Sequence, residues 1–149
     1  MKYIFLLLTL SILFFTCTQQ TTEEKITQAL KKFVTSEVSK DGSLESLTLD
    51  SVRYSEQPMS RYFEYWKGKI LTNKHINEEQ LPSVSQDFDT LIAKSDTAVK
   101  IYEVDYHSII RTNKENTDSH NKLFMNEKDL SIVENDNVVK LIDKAFQAK

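Results

Sequence analysis

An apolar run from Tyr3 to Phe15, broken only by Thr9 and Ser11, follows the basic start Met1-Lys2 and stops just short of Cys17, the one cysteine in 149 residues. A run of that length behind one positive charge is short for a bilayer span, which needs about 20 apolar residues, and has the proportions of a signal-peptide core. Two constraints on the fold follow. The folded part has to be built from the residues after Cys17, and with no second cysteine it can form neither a disulfide nor a thiolate metal site. Its stability must come from packing. The chain left is long enough for one hydrophobic core and short for two domains. The formal net charge is −3, from 19 basic and 22 acidic residues mixed along the chain. No broad basic field invites nucleic acid or an anionic membrane surface.

Thr18 to Thr22 is polar and reads as a tether. A helix is expected from about Thr22, because Thr21 and Glu24 have the spacing of a capping box and Glu23-Glu24 suit the positive end of the helix. Ile26, Ala29, Leu30, Phe33, Val34 and Val38 then recur at intervals of three and four, which predicts one buried stripe. Asp41-Gly42 is expected to end this helix. Leu44 to Tyr54 reads as a strand in which Leu47 and Leu49 alternate in one phase and Val52 and Tyr54 in the other. Such a shift predicts a bulge near Asp50-Ser51 or a change of neighbouring strand.

Pro58 is expected to open a second helix carrying Met59, Tyr62, Phe63, Trp66 and Ile70 at helical spacing. Leu81-Pro82 is taken as the separator before a third, which starts at Ser83 with a Ser83/Gln86 capping box and buries Val84, Phe88, Leu91 and Ile92. The two form an expected helical hairpin. Ala98 to Arg111 carries the clearest strand signal in the chain. A hairpin loop is expected over Asn113 to Ser119, a strand over His120 to Met125, a turn at Asn126 to Asp129 and a short strand over Leu130 to Glu134. Val138, Val139, Leu141, Ile142, Ala145 and Phe146 fit a helix, and the start of this run also fits a strand paired with Leu130 to Val133.

Two groups of residues bear on chemistry. Tyr62, Tyr65 and Trp66 offer flat faces for a sugar or another apolar ligand; the plainer reading is that the large rings of this segment fill the core and the tyrosines rim it. Glu103, Asp105 and His107 fall on one face of the long strand, with Val99, Ile101 and Ile109, while Tyr102, Val104, Tyr106 and Ile110 take the other. Two carboxylates and an imidazole on one face are donors for a metal or an acid/base pair. Same-face neighbours on one strand lie about 7 Å apart, so a tight metal site would need ligands from elsewhere. No HExxH, phosphate-loop or nucleophile-elbow pattern accompanies them. The expectation is therefore a non-catalytic patch, facing solvent or a partner, with no cofactor and no metal.

The junction at Phe14-Phe15-Thr16-Cys17 resembles a bacterial lipoprotein signal, in a relaxed form ending in Thr where the usual box has a small residue followed by Gly, Ala or Ser. That resemblance implies removal of residues 1–16, acylation of Cys17, residues 17–22 as lipidated cysteine and tether, and a single domain over 23–149. It implies attachment to the cell envelope, in particular the outer membrane of a Gram-negative bacterium, with a protein partner there and no nucleic acid. The alternatives are an ordinary secretory signal and an uncleaved membrane anchor. The element order over residues 22–134 resembles the cystatin-like or nuclear-transport-factor-2-like α+β roll. The expected fold is α+β, an N-terminal helix packed on a curved antiparallel sheet, with the helical hairpin inserted between the first two strands. The expected role is a lipid-anchored binding or accessory module. The alternatives are an inhibitor or immunity-type protective protein and a small-molecule binder or enzyme with a pocket in the roll.

Overall fold

The computed structural model describes residues 20–41 and 44–146, so Cys17 and the apolar run before it lie outside the described residues, as does Gly42. The protein is α+β: α1 (Thr22–Asp41), β1 (Leu44–Pro58), α2 (Ser60–Leu71), α3 (Leu81–Lys94), β2 (Lys100–Thr112), β3 (Asn116–Asn126) and α4 (Asp136–Phe146). The strands form an antiparallel sheet in the order β1-β2-β3, with β2 central.

The start of α1 follows from its first residues. The Thr21 amide donates to Glu24 Oε2 at 2.9 Å and the Glu24 amide donates to Thr21 Oγ1 at 3.2 Å, the reciprocal pair of a capping box. Ile26, Leu30 and Val34 are buried one helical turn apart. With Ala29, Phe33 and Val38 they pack on Val104 and Met125 and on Leu47, Leu49, Val52, Tyr102, Tyr106, Ile110 and Leu123. Two phases of β1 meet on this one face because the strand is bulged. The register slips between Asp50 and Arg53, and Ser51 takes φ 46°. The extra residue turns Val52 back to the side that Leu47 and Leu49 already face.

On the opposite face a second core gathers Tyr62, Phe63 and Ile70 of α2, Val84 and Phe88 of α3, Ile101, Phe124, Val133, and Val138, Leu141 and Ala145 of α4. Neighbours in sequence thus serve different cores, Phe124 one and Met125 the other, as the two-residue period of a strand dictates. Lys67 Nζ to Asp89 Oδ1, 2.6 Å, ties α2 to α3, and Lys144 Nζ to Asp87 Oδ2, 2.8 Å, ties α3 to α4.

Several expected boundaries move. Pro58 does not open α2; it closes β1, paired with Lys100, and the helix begins at Ser60. β1 is an edge strand, where proline is tolerated because one side of the backbone has no ladder to complete. Leu81-Pro82 does not separate two helices but forms the first turn of α3, a position where the amide that proline lacks would have had no partner. The Ser83 hydroxyl meets Lys144 Nζ at 2.7 Å instead of capping the helix. The β2–β3 loop shrinks to Asn113–Glu115: the Thr112 amide donates to the Glu115 carbonyl at 2.9 Å, and Thr112 Oγ1 accepts from the Lys114 and Glu115 amides. Leu130 to Glu134 is not a strand but a single bridge, Ile132 to Met125. Leu130 has φ 57°, and Asp129 Oδ1 accepts from both the amide and the hydroxyl of Ser131, which folds the segment into a tight turn. The ambiguous C-terminal run is helical. Asn135 Oδ1 accepts from the amides of Asn137 at 3.0 Å and Val138 at 3.4 Å, a helix cap, and Val138, Leu141 and Ala145 are buried at helical spacing.

Candidate functional site

The helices α2 to α4 cover only one end of their face of the sheet. Beyond Glu103 that face carries Arg53 and Asp50 on β1, Asp105 and His107 on β2, and Lys122, His120 and Asp118 on β3, placed together by the pairs Arg53 to Asp105, Asp105 to Lys122, Asp50 to His107 and His107 to His120. Where α2 overhangs this surface an open cleft of about 500 Å³ forms, lined among others by Ser51, Arg53, Tyr65, Lys69, Asp105 and Lys122.

Glu103 anchors the covered end. Only 6% of it is exposed, so it does not share the solvent exposure of Asp105 on the same face. Arg61 Nε donates to Glu103 Oε2 at 2.9 Å, and Lys122 Nζ donates to Glu103 Oε1. Burial pushes the Glu103 carboxyl upward, but the hydrogen bonds and charges of Arg61 and Lys122 outweigh it and hold the group below its ordinary value. Lys122 is raised, chiefly by its hydrogen bond to Glu103, and Arg61 is raised by the same carboxylate. Asp105 is exposed and reaches Lys122 Nζ at 3.3 Å. Glu103 and Asp105 therefore share one ammonium, which makes Glu103 a structural anchor and leaves Asp105 at the cleft wall.

His107 belongs to a second group further along β2. Its Nε2 lies 2.6 Å from Asp118 Oδ1 and its Nδ1 3.7 Å from Asp50 Oδ2, and its ring stacks on His120 at 4.5 Å between centroids and 20° between planes. Among the described residues no three His, Cys, Asp or Glu side chains are placed to hold a metal.

The aromatic trio of α2 divides. Tyr62 is buried, edge-on to Phe63, Trp66 and Phe124, and Trp66 packs against the same core. Burial raises the Tyr62 hydroxyl above its ordinary value. Tyr65 alone reaches the cleft, its ring 5.2 Å from Phe124, with Lys69 Nζ 5.6 Å and Lys122 Nζ 6.0 Å from its centroid. Arg61, Tyr65 and Lys69 thus form one stripe of α2 at intervals of four. That spacing is visible in the sequence, although of the three only Tyr65 is singled out there as a candidate. Arg53, His120 and Lys122 carried no local signal, since pairing with β2 is what brings them to the site.

Comparison with protein-family models, with curated proteins and with solved structures finds no match to this chain. Among the described residues no helix is long and apolar enough to cross a membrane.

Proposed function

We propose that the chain is a lipid-anchored, non-catalytic binding module of the cell envelope that engages a protein partner through the open face of its sheet. The observation carrying this reading is the unequal cover of the sheet. One face packs against α1, whereas the other is roofed at one end only and exposes a charged cleft beside Tyr65 and Asp105. The lipobox-like junction at Cys17 supplies the anchor in this reading, with the outer membrane of a Gram-negative cell as its place. The fold belongs with cystatin-like rolls in the same reading, α2 and α3 being a helical hairpin inserted between the first two strands of a curved sheet. The cleft volume also suits a small ligand, which favours a small-molecule binder as the second reading.

Two measurements test the proposal. Metabolic labelling with a clickable fatty acid is expected to mark the wild-type chain and not Cys17→Ala; equal labelling of the two, or none of either, removes the anchor. A photo-cross-linking residue at Asp105 is expected to give a discrete adduct in intact cells, while one at Lys31, on the exposed side of α1, gives none. Adducts from Lys31 alone would move the binding face to the helix.

A further inference from the structure

We propose that the cleft beside Tyr65 is an anion site, taking a carboxylate or phosphate group between Arg53 and Lys69. This inference rests on the reading of the cleft as the recognition surface and names the chemistry it selects.

The chain is acidic overall, with 22 acidic against 19 basic residues, yet the cleft is lined by three cations, Arg53, Lys69 and Lys122, and one carboxylate, Asp105. Their pairing is uneven. Lys122 is committed to Glu103 and Asp105, so the one carboxylate of the lining is already answered. Among the described residues, the side chains of Arg53 and Lys69 meet no carboxylate. Lys69 rests on the Tyr65 ring, a contact that orients an ammonium without neutralising it.

Two separate devices bring these cations to one place. On β1 the bulge at Ser51 resets the alternation, so that Arg53 stands opposite Asp105 on the open face instead of turning toward α1. On α2 the spacing of Arg61, Tyr65 and Lys69 points a stripe at the sheet: Arg61 closes on buried Glu103, Tyr65 forms a wall, and Lys69 reaches the cleft. A guanidinium and an ammonium lining one cleft are donors for the oxygens of a carboxylate or phosphate, and such charge-assisted hydrogen bonds are about twice as strong as neutral ones.

The test is a titration of the full chain in non-ionic detergent at constant ionic strength, with inorganic phosphate and separately with glutarate, reading the rise of the unfolding midpoint over a chloride control. At least one anion is expected to raise the midpoint of the wild type. Arg53→Gln and Lys69→Gln are each expected to need at least tenfold more anion for the same rise, whereas Lys140→Gln, on the exposed side of α4, behaves as wild type. Phosphate alone, or glutarate alone, identifies which oxygen acid the site prefers. A midpoint unmoved by either anion, or an equal rise in both cleft variants, overturns the inference. The Asp105 cross-link separates this from the parent reading: an adduct without anion binding overturns the anion site alone, and anion binding without an adduct upholds the site and overturns the protein partner.

Discussion

Arg61 Nε meets Glu103 Oε2 at 2.9 Å, joining the first turn of α2 to the middle of the sheet across 42 positions of sequence. The carboxylate is buried, while its two cationic partners are partly exposed and can be solvated without it. Glu103→Gln is therefore expected to cost about 2 kcal/mol at neutral pH, less than the roughly 3–5 kcal/mol of a pair whose remaining charge stays buried. The pH dependence has a definite sign. Because the folded-state carboxyl lies below its ordinary value, Glu103 stabilises the protein above the unfolded-state value of about 4.3, and that contribution is lost as pH falls through the folded-state value. Urea unfolding from pH 7 down to pH 3 should show the gap between wild type and variant closing on the acid side. A constant gap would mean that the carboxylate charge is not what Arg61 and Lys122 hold.

Leu30 and Phe88 are both fully buried but sit in different cores, on opposite faces of the sheet. Leu30→Ala should cost about 2–5 kcal/mol and Phe88→Ala about 3–5 kcal/mol, from lost transfer energy and residual cavity. With no shared packing partners, the two costs are expected to add to within about 0.5 kcal/mol in the double variant. Denaturant titration of the four proteins checks this. A large coupling term would show that the sheet transmits strain between its faces; fully independent transitions would show two folding units in place of one.

The α1 cap gives a smaller effect. Thr21→Ala removes the oxygen that accepts from the Glu24 amide and should cost about 1 kcal/mol, while Thr21→Ser should cost far less. Thermal unfolding followed by circular dichroism separates the two.

The features legible in the sequence were those whose cause is local. The Thr21 and Glu24 pair, the phase shift at Asp50-Ser51 and the two faces of β2 each depend on a few neighbouring residues, and each is found where the spacing puts it. The site was legible along β2, where Glu103, Asp105 and His107 do share a face, and at Tyr65 of α2. Its other half comes from β1, β3 and α2, and pairing across the sheet has no signature in a single sequence. The burial of Glu103 was missed for the same reason, since it is set by Arg61 and Lys122 together. At Leu81-Pro82 the sequence reading takes proline as a breaker with the helix starting at Ser83, whereas proline is equally at home in a first turn, which is where α3 uses it.

Ser51 controls both the core and the cleft. Its φ of 46° lies in the left-handed region, which costs an ordinary residue about 1 kcal/mol and glycine almost nothing. Ser51→Gly is thus expected to be neutral or stabilising by up to about 1 kcal/mol, since the relief is partly offset by the greater freedom of glycine in the unfolded chain. Ser51→Val, branched at the β carbon, should destabilise by at least about 1 kcal/mol. Deleting Ser51 is more severe. A one-residue slip would turn either Leu47 and Leu49 or Val52 and Tyr54 away from α1, and with the second choice Arg53 would leave the face of Asp105. The deletion should therefore lower the unfolding midpoint far more than either substitution, read by urea titration. A deletion variant as stable as Ser51→Gly would mean that the bulge is not what holds the two halves of β1 on one face.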